Sequence, residues 1–362
     1  MKARLVFCLV VLSFVIGFNV GCVQSPETGS GKKEVKRYVF YPPLPTTPHY
    51  QFLCTISSTN DIKPKESKFA EFVLGEEADK GMPIIKPYGV KLYKGRLFVC
   101  DMKTGLFVMD LKTGQTQIWR GEAPGVLGRP VNIDIDKNGD VYIADIIRRE
   151  IIVLDSEGHF VKAYMLKRNF SPVDVAVTEN RVYACDVKNH RIYVFDKKNG
   201  TVLFTIGKPG SAKGELFHPT NIKIKDGKLY VSEANNFRFQ IFDLNGKFID
   251  SFGKVGNVPG TFARPKGIAV DNDGRIYVVD AAFENVQVFD KDFKLLIFFL
   301  SSGTCKGCIN LPADIEISYE IPDFFKKYIS PDFIPEYLIF ITSQFGLNKV
   351  NVYAFGKYKK QR

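Results

Sequence analysis

Apolar residues in this chain come in short runs of strand length, each closed by an Asp, Asn or Gly turn, and the runs recur in a fixed order. Residues 130–164 show the order most clearly. Val131 to Ile135 predicts a first strand and Asp136-Lys-Asn-Gly139 a tight hairpin, since Asn-Gly tolerates the positive φ that such turns need. Asp140 to Asp145 predicts a second strand, Glu150 to Asp155 a third, Ser156-Glu-Gly158 another turn and Phe160 to Tyr164 a fourth. The order returns in Leu229 to Glu233 with Phe239 to Asp243, and in Ile276 to Asp280 with Val286 to Asp290. Short strands joined by short turns predict one antiparallel four-stranded sheet per unit.

Each unit opens on the same phrase, a proline followed two residues later by a small or polar residue and then an aliphatic. The copies are Pro87-Tyr-Gly-Val90, Pro130-Val-Asn-Ile133, Pro172-Val-Asp-Val175, Pro219-Thr-Asn-Ile222, Pro265-Lys-Gly-Ile268 and Pro312-Ala-Asp-Ile315. The prolines stand 42 to 47 residues apart, the period of propeller blades. In their order and spacing the units resemble NHL repeats. The resemblance implies an all-β, six-bladed β-propeller over about residues 84–355. The last unit has only three strands: one from Pro312, Tyr337 to Thr342, and Lys349 to Tyr353. An isolated strand pattern, Tyr50 to Ser57, precedes the first unit, and it is expected to complete the C-terminal blade and close the ring. The propeller domain is therefore residues 38–362. Ser67 to Leu74 reads as a short helix or packed loop. The aromatic-rich insertion Glu320 to Glu336 reads either as a loop packed on its own blade or as a partner-binding loop.

The N-terminus adds a destination. Met1 to Arg4 is cationic, Leu5 to Phe18 is apolar and too short for a comfortable span, and Asn19-Val20-Gly21 precede Cys22, so residues 1–21 read as an export signal. The stretch before Cys22 resembles a bacterial lipobox, with Asn19 where that motif has leucine. The resemblance implies lipidation of Cys22, and Val23 then implies an outer-membrane or cell-surface location. Residues 22–37 read as a flexible tether and Tyr41 to Pro48 as a stiff extended segment.

Composition changes this picture little. The formal charge of +11 and pI near 9.1 invite an acidic partner. Much of the charge lies in Lys32, Lys33, Lys36 and Arg37 and at the C-terminus, with the remainder scattered through the units, which fits a solvated or an electrostatic docking surface. Export argues against a nucleic-acid partner.

Of the seven cysteines, Cys100 and Cys185 occupy a small-residue column before the acidic end of the second strand and read as core, as does Cys54. Cys305-Lys-Gly-Cys308 in an exported chain reads as a local disulfide. Ile309 stands where a haem attachment motif needs histidine, so no haem or other cofactor is expected. The recurring acids Asp101, Asp145, Asp186, Glu233 and Asp280 read as turn-capping architecture, with Thr342 at that place in the last unit. The better candidates for a ligand site are the third positions of the phrase, Asn132, Asp174, Asn221 and Asp314, with Gly89 and Gly267 in the other units. On inner strands they would ring the channel mouth, and their oxygens suit a hard cation such as Ca²⁺, although no metal site is assigned. His49, His159, His190 and His218 make neither a three-histidine zinc set nor a serine triad. The leading expectation is a non-enzymatic, lipid-anchored propeller that binds a protein in the cell envelope. The alternatives are a Ca²⁺-dependent hydrolase or lactonase with its site at the channel mouth, and a docking partner of exported multihaem cytochromes, which resemblance alone suggests.

Overall fold

A computed structural model describes residues 38–64, 81–167 and 169–359. The export signal, Cys22, the tether and the Ser67 to Leu74 segment lie outside the described residues. Six antiparallel sheets form a six-bladed propeller. Each repeat proline opens an inner strand: Pro87–Tyr93, Pro130–Ile135, Pro172–Val177, Pro219–Lys225, Pro265–Val270 and Pro312–Ser318. Blades are numbered one to six in that order.

Six buried clusters hold the ring, one for each pair of neighbouring blades. Val99 and Phe107 of blade one, for example, share a core with Leu338 and Val352 of blade six. Phe239 and Ile241 of blade four meet Val278 and Phe289 of blade five. The remaining seams are built alike. Each blade thus buries its two faces only against neighbours, and an open ring would expose one whole seam.

Closure uses the N-terminal strand. Tyr50–Ile56 pairs antiparallel with Val350–Tyr358, from Tyr50 opposite Phe355 to Ile56 opposite Val350. A further strand, Val39–Tyr41, pairs outside it and gives blade six five strands. Sequence reading placed only a stiff connector near Tyr41, because three residues are too few to show alternation. The strand is held instead by its rings: Phe40 meets Phe333 and Tyr358, and Tyr41 meets Phe299 and Tyr353.

The insertion in blade six packs on its own blade. Asp323–Lys326 makes a single helical turn that buries Phe325 against Phe340, 5.7 Å between ring centroids. The buried Gln51 side chain ties the segment down, donating to the Tyr328 carbonyl and accepting from Ser330 N–H. Cys305 and Cys308 are joined by a disulfide, with Cα atoms 5.1 Å apart. Cys54, Cys100 and Cys185 are free and buried.

The acidic column accepts backbone N–H groups. Asp101 takes those of Ile85 and Lys86 on one oxygen and of Lys103 and Thr104 on the other. Asp145 and Asp280 repeat the pattern. In blade six the register corrects the sequence reading. Pro312 stands opposite Ser343, as Pro87 does opposite Asp101, so Ser343 and not Thr342 is the column residue. Ser343 Oγ accepts Asn310 N–H in the same role, and Thr342 falls in the small-residue column of Cys100 and Cys185.

One backbone device positions everything along the axis. In all six blades the pairing of first and second strands slips by one residue just after the proline. Such a bulge re-aims the side chains beside it.

Candidate functional site

The inner strands run in one direction around the axis, because equivalent positions from different blades meet. Three layers of side chains follow from the proline end inward. The first is the position after the proline: Tyr88, Val131, Val173, Thr220, Lys266 and Ala313, all buried. Tyr88, Val131, Val173 and Ala313 belong to one apolar cluster although they come from four blades, so this layer narrows the channel.

The second layer holds the predicted ligand positions. Asn132, Asp174 and Asp314 border one cavity of about 100 Å³. Asn221 does not line it, but its Nδ2 donates to Asp314 Oδ1 at 3.3 Å. The two residues are two blades apart, with Gly267 between them. That glycine is dictated by space: a Cβ there would lie 2.6 Å from Asp314 Cα and 2.7 Å from Ile315 N. Gly89 is confined in the same way, since its Cβ would meet Asn132 Oδ1 at 2.1 Å. The polar members also bind strand backbone. Asp174 accepts Val175 N–H and Ile222 N–H at 2.7 Å each, Asn132 accepts Ile133 N–H, and Asp314 accepts Val90 N–H at a long 3.4 Å.

The third layer was not singled out in the sequence. Lys91, Asp134, Lys223 and Glu316 stand two residues further along their strands and line the same cavity. Lys91 Nζ lies 2.9 Å from Asp134 and 3.2 Å from Glu316, and Glu316 also pairs with Lys223. Burial opposes the charge on Lys91, yet Asp134 and Glu316 outweigh it and raise its pKa. Burial likewise opposes the charge on Asp134, and Lys91 and Lys223 hold it below the usual carboxylate range. The signal was a charged residue two places after the third-position Gly, Asn or Asp, on an inner strand with aliphatic neighbours. Its partners, however, lie in other blades.

These four charges satisfy one another, which leaves Asp174 and Asp314 as surplus carboxylates. Burial, followed by the nearby charge of Asp314, pushes Asp174 well above the ordinary range. Burial is also the main cause for Asp314, which rises to about 7, with Lys223 pulling down and Glu316 pushing up. At neutral pH the pair therefore retains a proton. Among the described residues no group of three or more His, Cys, Asp or Glu is placed to hold a metal ion. None of the four histidines lines the cavity.

Fold and channel together define a six-bladed propeller with a cluster of ion pairs on its axis. Residues 215–329 match the family model DUF5128, described as a 6-bladed beta-propeller. No curated protein matches the chain significantly. Solved structures with similar folds include a streptogramin B lyase, 16% identical with a TM-score of 0.53, the match covering 78% of this chain and 85% of that one. Virginiamycin B lyase from Staphylococcus aureus is 13% identical, TM-score 0.54, over 84% and 99%. A gluconolactonase from Xanthomonas campestris is 14% identical, TM-score 0.56, over 91% and 99%. At such identities the likeness is one of fold alone.

Proposed function

We propose that the protein is a non-enzymatic, lipid-anchored propeller of NHL type that docks an acidic protein partner in the cell envelope on the face where the repeat prolines lie. The observation that carries this reading is the uneven decoration of the two faces. The connections on the proline side expose Ile85, Ile147, Phe217, Val255, Phe345 and Leu347. Between these stand Lys103, Arg149, Lys188, Lys213, Lys254 and Lys306, all outside strands at that end of the blades and all exposed. The turns at the opposite end mix both signs, with Lys94, Lys112, Lys137 and Lys198 beside Glu157, Asp226, Asp273 and Asp292. Exposed apolar side chains interleaved with one sign of charge suit recognition of a complementary surface. The mutual pairing of the channel charges supports an architectural role for the axis.

The test is crosslinking and capture of the full-length protein from its native envelope, comparing the natural sequence with a variant carrying Lys103→Glu, Arg149→Glu, Lys254→Glu and Lys306→Glu. A reproducible partner lost in the variant supports the reading. A partner captured equally by both, or none by either, ends it. Anchoring is tested separately by incorporation of labelled palmitate, expected in the natural chain and absent from Cys22→Ala. One observation favours a second reading, a Ca²⁺-dependent hydrolase: Asn132, Asp174 and Asp314 border one cavity, and a gluconolactonase shares the fold. Stoichiometric Ca²⁺ in purified protein, lost with hydrolase activity in Asp174→Asn, would favour the enzyme.

A further inference from the structure

The residue before the repeat proline is a cation or histidine in four units: Lys86, Arg129, His218 and Arg264. Sequence reading passed over this column. In three of them the backbone is pinned, since Lys86, Arg129 and Arg264 N–H donate to the acidic column. A cationic collar therefore surrounds the proline-side mouth of the channel.

Directly inside it lies Lys266 of blade five, turned toward the axis by the bulge. Its Nζ sits 5.0 Å from the ring centroid of Tyr88 in blade one, although blade six lies between the two, so the contact is made across the axis. Lys266 is only 6% exposed, and among the described residues no carboxylate pairs with it. Lys91 and Lys223, two layers further in, each have a carboxylate partner. The charged neighbours of Lys266 are instead Arg264 and Lys86, and burial together with these two cations pushes its pKa down to about 8. An ammonium buried among like charges is costly unless something negative joins it.

Two further polar atoms at this mouth also lack partners. Thr220, at the equivalent position of blade four, is 7% exposed and its hydroxyl makes no hydrogen bond. His218 Nδ1 is buried and unbonded, and its ring is close enough to Arg264 and Lys266 for both to lower its pKa, after burial and His190. Buried polar groups in native proteins are nearly always satisfied, so orphaned groups gathered at one end of the channel indicate a missing partner. The carboxylates beneath do not fill that role: Asp174 accepts Val175 and Ile222 N–H, and Asp314 is engaged by Asn221 and Val90 N–H.

We propose that the proline-side mouth of the channel is a binding site for an oxyanion, a carboxylate or phosphate group, held by the Lys266 ammonium that rests on the face of Tyr88, the Arg264 guanidinium and the Thr220 hydroxyl. The donor set fits the chemistry: ammonium, guanidinium and hydroxyl all donate, and charge-assisted bonds to oxyanions are the strong ones. The site does not depend on the docking reading, because it needs only a free anion.

The experiment is calorimetric titration of the full-length protein with inorganic phosphate and, separately, acetate, at ionic strength held constant with chloride, accompanied by thermal melts. Binding of at least one anion is expected, and which one binds assigns the source of the oxyanion. Lys266→Met is expected to weaken it at least tenfold. The same variant should melt higher than the natural protein without anion, and the anion should no longer raise its melting temperature. Thr220→Val keeps volume and charge and should weaken binding severalfold, a check that survives any folding defect in the lysine variant. Absence of binding for both anions overturns the proposal, as does equal affinity in both variants.

Discussion

Replacing Asp314 by Asn is expected to flatten the dependence of stability on pH between about 4 and 7. In the folded protein this carboxyl titrates near 7, against 3.8 when free of the fold. The folded state therefore holds a proton that the unfolded chain has released. Stability fully present below the unfolded value is lost as pH rises through the folded one. A shift of roughly three units corresponds to about 4 kcal/mol, and the slope approaches ~1.4 kcal/mol per pH unit inside the window. Asn still accepts from Asn221 Nδ2 on its oxygen, whereas the 3.4 Å bond from Val90 N–H is lost. That loss costs about 1 kcal/mol at every pH, so the slope is the quantity to read and not the absolute value. Neutralising Asp314 also removes one of the charges that raise Asp174, which enlarges the effect.

The assay is urea denaturation of both proteins at half-unit steps from pH 4.5 to 8. Titrating groups other than Asp174 contribute equally and cancel in the difference. The natural protein should lose ground against the variant steadily up to about pH 7. Curves that stay parallel within ~1 kcal/mol would refute the claim that these carboxylates are surplus to the ion pairs beneath them.

Glu316→Gln should destabilise by about 3–5 kcal/mol in thermal or chemical melts, because Lys223 would then be buried without its anion, and adding Lys223→Met should recover much of the loss. Gly267→Ala should cost about 3 kcal/mol or more, since the neighbouring atoms at 2.6 and 2.7 Å are backbone and have no rotamer to move; a melt unchanged by the methyl group would contradict the packing of the second layer. Deleting the chain through Ile56 should abolish cooperative unfolding and expose a dye-binding apolar seam, because the partner strand Val350–Tyr358 loses its pairing along one edge. Reducing the Cys305–Cys308 bridge should lower stability by up to about 2 kcal/mol, the limit that loop-closure entropy sets for so short a loop.

Features repeated in every unit were legible in the sequence. Six prolines at a regular period announce six inner strands, the small-residue column places Cys100 and Cys185 in the core, and an unpaired strand at each end of the ring requires closure. Features that depend on one blade meeting another were not legible. Nothing local links Lys91 to Glu316, since their proximity follows from the cyclic order that brings blade six beside blade one. The Thr342 reading failed by one residue because the second strand of blade six is extended to Phe333–Ser343 and lacks the usual acid at its end, so only the pairing with Pro312 fixes the column. The third-position candidates were found as a ring, but their oxygens proved to be occupied largely by backbone N–H groups.

The two anomalous sets of titrating groups on the axis, the raised carboxyls and a weakly basic lysine, share a cause. Asp314 and Lys266 come from adjacent blades and lie in successive layers, and a direct pair between them would have restored both to ordinary ionisation. Tyr88 lies between the two sets. Its ring is 5.0 Å from the Lys266 ammonium, and Asp314 and Asp174 are the charges that, after burial, raise its own pKa. Other units place Val131, Val173, Thr220, Lys266 or Ala313 at this position, so Tyr88 is the one aromatic of the layer. It keeps the positive collar and the carboxyl ring apart, at a cost to stability that an anion bound at the mouth would offset. The collar is thereby left cationic on the face where the exposed apolar residues also gather, which puts the proposed oxyanion site and the proposed docking surface at the same end of the blades.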